Sequence, residues 1–357
     1  MKLPDTVKME ERPLLKIGGS RRAWIAAVAV AAVALLLWGW HGHSDSARPR
    51  PLDPVESEQQ AQERPDDFHA QLQWGETLVQ AKRLEEAAPV LTHARQLAPN
   101  DARPYAWLGI AAIAERRSGE ARDLLQQALQ RDPENTTALR ALANLDAQMR
   151  RLRSAVQGFE HLTRLRPNDA DAWQRLGLLL IGAGENYRSL DALSRSAALN
   201  PNDVMTQGPL GNLALQAGRF DVASRAFHAV LEREPENPQA LTGLAKTMMR
   251  LDPSPTGLAA AEQEANRALH VRPFPEAYKA RGQIRMTGRR FDEAIQDFNA
   301  CIRLDPHGRE PYVLLSQCYA SAGRPDLARK ASAEFDRLRA QQLARDKAPA
   351  HSPEAVK

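Results

Sequence analysis

Prolines recur at a fixed interval along most of the 357-residue chain. They lie 34 residues apart at Pro65, Pro99, Pro133, Pro167, Pro201 and Pro235. Pro273 follows after 38 residues and Pro306 after 33. Because a fixed period of roughly 20 to 50 residues is the mark of a repeat protein, we expect one structural unit built many times over.

Two further positions keep the same phase. The tenth residue after the proline is small: Gly75, Gly109, Ala143, Gly177, Gly211, Ala245 and Ser316, with Gly282 one residue early in the shortest unit. The residue eight before the next proline is usually large, at Leu91, Leu125, Phe159, Leu193, Phe227 and Phe298, and Ala265 breaks that rule. A small residue facing a large one predicts two helices in close contact.

Each unit contains two apolar stretches at helical spacing, separated by a short breaker such as Ser118-Gly119 or Ala217–Arg219. The proline ends the second helix. The Asn-Asp or Glu-Asn pair that follows is expected to cap the next helix. Aromatic residues are only 5% of the chain, which suits helices packed through Ala and Leu better than a β-sandwich. One helix pair cannot bury its own apolar face, so neighbouring pairs must stack into a solenoid.

This pattern resembles the tetratricopeptide repeat (TPR) family over residues 66–345. The resemblance is strongest in the stretch Trp173–Gly177 and in the series Ala121, Leu125, Ala128 and Pro133. It implies an all-α fold, a right-handed α-solenoid of about eight helix-turn-helix repeats. It also implies that the first helix of each pair lines a concave groove.

Three departures from the pattern carry expectations of their own. The sixth unit has four extra residues around Leu251–Pro255, which we expect to form a bulging loop. Pro209 should delay or kink the first helix of the fifth unit, whereas Pro89, near the start of a second helix, should cost less. The last unit has no closing proline, and its polar final helix is expected to cap the solenoid before a disordered tail at 346–357.

The N-terminal region has the pattern of a membrane anchor. A basic leader at 1–22 precedes an apolar run at 23–40, and a Pro-containing segment at 41–64 reads as a flexible tether. As a helix the run would span roughly 27 Å, close to a hydrocarbon core of about 30 Å, so a single transmembrane helix is predicted. Basic residues concentrate before it, which predicts a cytoplasmic N-terminus and a repeat domain on the periplasmic side of the inner membrane.

Two alternatives for this region stay open at the level of sequence. One is a cleaved signal peptide, and the other is a twin-arginine export signal around Ser20–Ile25. The leader contains six of the 48 basic residues and three of the 44 acidic ones, so the rest of the chain is nearly neutral. The basic isoelectric point therefore gives no support to nucleic-acid binding.

No chemistry is indicated by the sequence. The nine histidines are scattered without zinc-ligand spacing, and neither a phosphate-binding loop nor a nucleophile elbow is present. We therefore expect no enzyme activity, no metal or other cofactor and no small-molecule substrate. Cys301 and Cys318 read first as small buried apolar residues, with a disulfide between them as the alternative.

Candidate binding residues follow from the resemblance, whose groove-facing offsets fall on polar side chains. These are Glu76, Arg140, Asn144, Gln148, Gln174, Asn212, Gln216, Lys246, Lys279, Gln283 and Gln317. Asn and Gln amides can bond both backbone groups of an extended peptide, and Arg140 or Lys246 could hold a carboxylate. The alternative is that these polar residues only keep the groove soluble.

The functional expectation is a membrane-anchored scaffold or chaperone-like adaptor that binds partner proteins or extended peptides. One alternative is a non-catalytic regulatory subunit of an envelope enzyme, assembly or secretion complex. Another is an anchored regulator that faces the cytoplasm.

Overall fold

The computed structural model describes residues 54–347, which contain helices and turns. The chain divides into two units, Met1–Arg64 and Pro65–Lys357. The first contributes one described helix, α1 (Pro54–Glu63). This helix lies within the predicted tether at 41–64, so the expectation of an irregular segment does not hold at 54–63.

The predicted leader at 1–22 and the transmembrane helix at 23–40 lie outside the described residues, as does the tail beyond residue 347. Among residues 54–347, no helix combines the length and apolar character needed to cross a membrane.

The second unit contains eight helix pairs, which confirms the all-α solenoid of about eight repeats. The first three pairs are α2 (Phe68–Gln80) with α3 (Leu84–Leu97), α4 (Ala102–Ala114) with α5 (Ser118–Arg131), and α6 (Thr136–Gln148) with α7 (Leu152–Leu165). The next three are α8 (Ala170–Gly182) with α9 (Asn186–Leu199), α10 (Val204–Gln216) with α11 (Phe220–Arg233), and α12 (Pro238–Leu251) with α13 (Pro255–Val271). The last two are α14 (Pro275–Thr287) with α15 (Phe291–Leu304), and α16 (Glu310–Ser321) with α17 (Pro325–Lys347).

The predicted caps begin the first helices. Asp101, Asn135, Asp169, Asp203 and Asn237 each accept a hydrogen bond from a backbone N–H in the first turn of the helix that follows. Each satisfies one of the donors that a helix N-terminus leaves unpaired. The recurrent Asn and Asp residues therefore set the phase of the repeat.

The turn within a pair uses one residue with positive φ. Gly218 has φ 73° in the predicted Ala217–Arg219 breaker. In the second repeat the corresponding residue is Arg116, at φ 61°, and Ser118 already begins α5. The prediction of a Ser118-Gly119 breaker was therefore two residues late, because a side chain occupies a position where glycine was expected.

The pairing of small and large residues is confirmed at each glycine of the set. A Cβ on Gly75 would overlap the side chain of Leu91, and a Cβ on Gly109 would lie 2.7 Å from Leu125. The same contact recurs for Gly177 with Leu193, Gly211 with Phe227 and Gly282 with Phe298. In the sixth repeat, where Ala265 replaces the large residue, Ile284 of α14 joins Ala245 and Ala265 in one buried cluster.

The structure corrects two expectations about helix breakers. Helix α10 begins at Val204 and continues through Pro209, so the proline does not delay its start. Pro89 also lies inside its helix, and each proline is the sixth residue from its helix start. The two positions are therefore equally deep, contrary to the expectation that Pro89 would be the milder case.

The extra residues of the sixth repeat do not form a bulging loop. Its linker is residues 252–254, as short as the linker at 217–219 in the preceding repeat. The helices absorb the insertion instead, because α12 has 14 residues and α13 has 17, against 13 and 14 in α10 and α11. Ser254 caps α13 through the Gly257 N–H, with Pro255 at its first position, and this strong start signal explains the early entry into the helix.

Candidate functional site

The first helices of the pairs form the inner face of the solenoid. First helices contact each other across repeats, as α4 does with α6 and α12 with α14. Among the described helices, no comparable contact joins the second helices of neighbouring repeats. Helices on the inside of a curved stack approach more closely than those outside, so the concave surface belongs to the first helices.

A pocket of about 560 Å³ opens on this inner face in the second to fourth repeats. We call it the inner-face pocket. Its lining comes entirely from first helices and comprises Trp107, Ile110, Ile113, Thr136, Thr137, Arg140, Ala141, Asn144, Leu145, Gln148 and Arg175. Helices α4, α6 and α8 thus each contribute, and three of the eleven candidate binding residues meet here.

Helical periodicity explains the division of the lining into floor and rim. Trp107, Ile110 and Ile113 recur at three-residue intervals along α4 and so share one side of that helix. On α6, Arg140, Asn144 and Gln148 recur at four-residue intervals. The pocket therefore has an apolar floor from one repeat and a polar rim from the next.

The Trp107 ring is held by a neighbour on α2. Its side chain forms a hydrogen bond with the carboxylate of Glu76, in which the indole N–H is the donor. Burial raises the pKa of Glu76 against the opposing effects of this hydrogen bond and of Arg103. Glu76, which the sequence placed on the groove, thus acts on the floor of the pocket through Trp107.

Arg140 is engaged within the protein. Its guanidinium group pairs with Asp169, the cap of α8, and with Asp171 at 2.8 Å. The two carboxylates neutralise it, so Arg140 has no spare charge for a partner's carboxylate. Its place is at an inter-repeat contact on the edge of the pocket.

Gln174 occupies the same register one repeat later and has the same kind of partner. Its amide donates to the cap of α10, Asp203, and to Thr206 Oγ1 at 3.0 Å. Lys279 also contacts the start of the next repeat, through an ion pair of 2.6 Å with Glu310 at the start of α16. These three predicted site residues therefore bind the next repeat.

The amides on the rim are free. Asn144 is half-buried, Gln148 is exposed, and neither forms a side-chain hydrogen bond with another residue of the 54–347 region. Arg175, also exposed, is 4.0 Å from Asp171 at its closest ion-pair approach. The rim thus offers amide donors, amide acceptors and a loosely held guanidinium group above an apolar floor.

The other predicted residues lie on first helices outside the inner-face pocket. Asn212, Gln216 and Gln317 are exposed, and Gln283 is half-buried. Burial lowers the pKa of the Lys246 ammonium group, and the charge of Lys279 adds to the effect. The structure brings none of these residues into the pocket.

The groove-facing positions chosen from the sequence missed most of the residues that line the inner-face pocket. They selected polar residues only, so the floor from Trp107 to Ile113 and the small residues of α6 went unnoticed. The available signal was the apolar spacing on α4, which read as core. Arg175 was passed over because it lies one residue beyond a chosen offset.

Neither metal nor thiol chemistry appears in the described residues. Across residues 54–347, no group of three or more potential ligand side chains could hold a metal ion. Cys301 and Cys318 are both buried and free, so the disulfide alternative is not formed. Burial raises the pKa of Cys301 to about 11, which keeps its thiol protonated and unreactive at neutral pH.

Family models confirm the resemblance seen in the residues. Two models, both described as tetratricopeptide repeat, match this chain. One matches residues 112–179, and the other matches 72–136, 209–251, 257–309 and 280–342.

Individual relatives match only part of their own length. Cellulose synthase operon protein C of Pseudomonas fluorescens is 32% identical over 183 residues, which are 48% of this chain and 14% of that protein. RNA polymerase II-associated protein 3 of Mus musculus is 24% identical over 157 residues, 41% of this chain and 23% of that protein. The chain thus spans less than a quarter of either relative.

A solved structure among those that match shares the fold. It is the C-terminal part of a TPR repeat-containing protein from Cytophaga hutchinsonii, with a TM-score of 0.50 at 14% identity. The match covers 68% of this chain and 99% of that structure.

Proposed function

The chain belongs to the tetratricopeptide repeat family, and we propose that it is a non-catalytic adaptor that binds extended segments of partner proteins in the inner-face pocket. The observation that carries this proposal is the combination of an apolar floor with unpaired amides at the rim. TPR proteins are protein-interaction scaffolds, and the pocket gives that general role a place in this chain.

The chemistry of the pocket suits a polypeptide in extended conformation. The amide groups of Asn144 and Gln148 each offer a donor and an acceptor, which match the backbone N–H and C=O of a peptide. An apolar side chain of the same peptide can leave water by entering the floor beside Trp107 and Ile110. Because Asp169 and Asp171 neutralise Arg140, the peptide needs no acidic residue at that point.

The proposal includes the location predicted from the sequence. The apolar run at 23–40 anchors the chain in the inner membrane, and the charge of the leader at 1–22 places the repeats in the periplasm. The support is the length of the run and the concentration of basic residues before it. Protease added to intact spheroplasts should digest the repeats, whereas protection of the repeats until the cells are lysed would contradict this location.

Site-specific photocrosslinking in cells tests the binding role. A photoreactive residue at position 148 of the full-length chain should form adducts with a partner polypeptide at the inner-face pocket. Adding Asn144→Ala and Ile110→Ser should reduce the adduct, because the first removes a rim amide and the second removes part of the floor. Mass spectrometry of the adduct identifies the partner segment.

The matched control uses the outer surface. Gln126 and Gln130 have the same four-residue spacing on α5, a second helix, and both are exposed. A photoreactive residue at position 130 should not capture the same partner, and Gln126→Ala should leave the adduct at position 148 unchanged. Equal capture at both positions, or an adduct insensitive to the pocket substitutions in a folded protein, would overturn the proposal.

A second candidate is a regulatory subunit of an envelope complex that has no chemistry of its own. The observation that favours it is the alignment with cellulose synthase operon protein C of Pseudomonas fluorescens and with its namesake in Xanthomonas axonopodis, at 32% and 29% identity. Stoichiometric co-purification with one catalytic subunit from solubilised membranes would favour this candidate over an adaptor with several partners. An anchored regulator facing the cytoplasm remains the alternative that the spheroplast experiment decides.

A further inference from the structure

The turns inside the helix pairs place an unusual set of residues at positive φ. Three of these residues are glycines, Gly184, Gly218 and Gly323, at φ 78°, 73° and 71°. The other four carry side chains, and all four are basic: Lys82, Arg116, Arg150 and Arg289, at φ 60°, 61°, 61° and 57°. The positive-φ position of the turn is therefore occupied either by glycine, which suits this backbone conformation, or by a basic residue.

A side chain at this position is unfavourable. The left-handed region crowds the Cβ of an L-residue against the following carbonyl group, and glycine avoids this. Attraction of the cation to the C-terminus of the preceding helix offsets part of the strain. That attraction does not explain the choice, because three turns of the same form use glycine. Strained residues that persist in register point to a role for the side chain.

Three of these cations are consecutive, exposed and unpaired. Lys82, Arg116 and Arg150 occupy the same turn in the first, second and third repeats. All three are exposed, and within residues 54–347 none has a carboxylate within ion-pair distance.

The basic residues that follow them in the turns do have partners. Arg83 pairs with Glu86 at 2.6 Å and Arg117 with Glu120 at 2.5 Å, while Arg151 is 3.8 Å from Asp146. Glu86, Glu120 and Asp146 are therefore engaged by these neighbours, and none of them is within ion-pair distance of Lys82, Arg116 or Arg150.

We propose that Lys82, Arg116 and Arg150 form a basic edge that lies against the phosphate-bearing headgroups of an anionic membrane. The proposal rests on the proposed anchor at 23–40. The three cations occupy the same turn in three stacked repeats, so they lie on the same side of the stack, where one extended surface can meet them. A single peptide would instead bind on the concave face, where the inner-face pocket lies.

Position along the chain favours a membrane over another anionic surface. The three repeats with the basic edge are the first three after the predicted membrane helix, and the turns of the fourth and fifth repeats use Gly184 and Gly218. Next to this edge, Met149 is 47% exposed beside Arg150, and Tyr187 is 82% exposed in the first turn of α9. A tyrosine and an apolar side chain beside basic residues are typical of surfaces that lie at the headgroup level.

The expected size of the effect follows from the charges. Each cation close to an anionic bilayer strengthens association roughly fivefold, so three contribute on the order of 100-fold at low salt. Because the screening length falls to about 3 Å at 1 M salt, the contact should be lost at high ionic strength.

Energy transfer in reconstituted vesicles tests the edge in the full-length chain. Gly119 is exposed, and a Cβ there would meet nothing within 4 Å, so Gly119→Cys gives a labelling site close to the edge. The native cysteines are buried and should not label in the folded protein. A donor dye at residue 119 and an acceptor on the lipid headgroup should show strong transfer in phosphatidylcholine vesicles with about one third phosphatidylglycerol. Pure phosphatidylcholine, or 1 M salt, should abolish it.

The decisive variant is the triple substitution Lys82→Gly, Arg116→Gly and Arg150→Gly. It removes the cations and relaxes the three turns, so loss of transfer cannot be attributed to unfolding. The matched control, Arg225→Gln, Arg329→Gln and Arg337→Gln, removes three exposed charges from second helices. It should keep full transfer.

The outcomes separate the edge from the anchor. A chain that floats with neutral vesicles but shows the same transfer in both lipids, or no loss in the glycine variant, overturns the basic edge and leaves the anchor standing. If the chain does not float with neutral vesicles, the anchor fails. The edge is then decided by salt-sensitive flotation with the anionic vesicles, whose absence overturns it as well.

Discussion

Glycine at the tenth position of a repeat is required by the side chain that faces it. A Cβ on Gly109 would lie 2.7 Å from Leu125 Cγ and 3.2 Å from the carbonyl oxygen of Ala121. Leu125 has no exposed surface and so has nowhere to move. We expect Gly109→Ala to lower the free energy of unfolding by about 1 to 3 kcal/mol through overpacking, although alanine is the better helix former by about 1 kcal/mol. Urea denaturation followed by circular dichroism measures the change.

The control for this substitution is the other glycine of the same repeat. Gly119 lies in the first turn of α5, and a Cβ there would meet nothing within 4 Å. Gly119→Ala should leave stability unchanged or raise it by up to about 1 kcal/mol. A similar loss at both glycines would mean that helix geometry, rather than the contact with Leu125, sets the requirement.

A second residue-scale prediction concerns the pH dependence that Glu76 introduces. Burial raises the pKa of its carboxyl group above the ordinary value. Ionisation of Glu76 therefore opposes folding once the pH exceeds the pKa of glutamate in the unfolded chain. Glu76→Gln keeps an acceptor for the Trp107 indole and removes the charge. The variant should therefore be more stable than the native protein at pH 7, and the difference should vanish as the pH falls below the ordinary pKa of glutamate.

Urea titrations at pH 7 and near pH 4 check the prediction for Glu76. The matched control is Glu134→Gln, because that glutamate is exposed and has no ion pair among residues 54–347. A stabilisation by Glu76→Gln that is the same at both pH values would show that the charge is not its source.

At the scale of the helix, two interior prolines lower the stability of the helices that contain them. Pro209 is the sixth residue of α10 and Pro89 the sixth of α3, beyond the first turn where a missing N–H is harmless. Pro209→Ala should restore one backbone hydrogen bond and raise the free energy of unfolding by about 1 to 3 kcal/mol. Pro89→Ala should act in the same direction. Thermal unfolding curves of the full-length variants measure both.

Pro255 provides the contrast for these two variants. It is the first residue of α13, where its fixed φ favours the helix and no partner for its N–H is needed. Pro255→Ala should leave the melting temperature unchanged or lower it. If it raised stability as much as Pro209→Ala did, the effect would come from helix propensity alone and not from the lost hydrogen bond.

Helices and caps could be predicted because they depend on residues close in sequence. Asp203 caps α10 through a contact that does not depend on the neighbouring repeats. The contact of Gly211 with Phe227 is also predictable, because both residues belong to the same repeat. The turn at Arg116 and the uptake of the extra residues by α12 and α13 were missed, because breakers were assigned from glycine and proline alone. The site was harder, since Arg140 and Gln174 bind the caps of the following repeats, a pairing that intra-repeat offsets do not show.

At the scale of the whole molecule, a buried ionic network joins the sixth and seventh repeats. Asp297 of α15 is 2% exposed, where the corresponding residue of other repeats is Leu124 or Ala226. It accepts from Arg281 at 2.6 Å and from Arg285 at 2.9 Å. Arg285 also binds Glu262 of α13 at 2.8 Å, and Arg290 binds the same carboxylate. Asp297 thus binds two arginines of α14 within the seventh repeat, and Glu262 of α13 connects that repeat to the sixth.

Loss of that carboxylate should change how the solenoid unfolds. Asp297→Ala leaves Arg281 and Arg285, with only 19% and 16% of their side chains exposed, short of a partner. Breaking a buried pair in this way costs about 3 to 5 kcal/mol. Because the stability of a solenoid is a sum of repeat and nearest-neighbour terms, the loss should fall on the α14–α15 pair of the seventh repeat. Arg285, which Asp297 shares with Glu262, extends the loss to the contact with α13. Hydrogen exchange in increasing urea should show α14 to α17 opening before the preceding repeats.

Acid below the ordinary pKa of glutamate should weaken the contact between the sixth and seventh repeats in the native protein. Burial alone would raise the pKa of Glu262, but the guanidinium groups of Arg290 and Arg285 lower it below the ordinary value. The contribution of Glu262 is therefore present above the pKa of an unfolded glutamate and is lost as the pH falls through the lower, folded pKa.

The control for Asp297→Ala is Asp326→Ala, which breaks an ion pair whose side chains are 80% and 79% exposed. This control should change stability by less than about 1 kcal/mol. A single cooperative opening of all repeats in Asp297→Ala would show that the network does not govern the coupling.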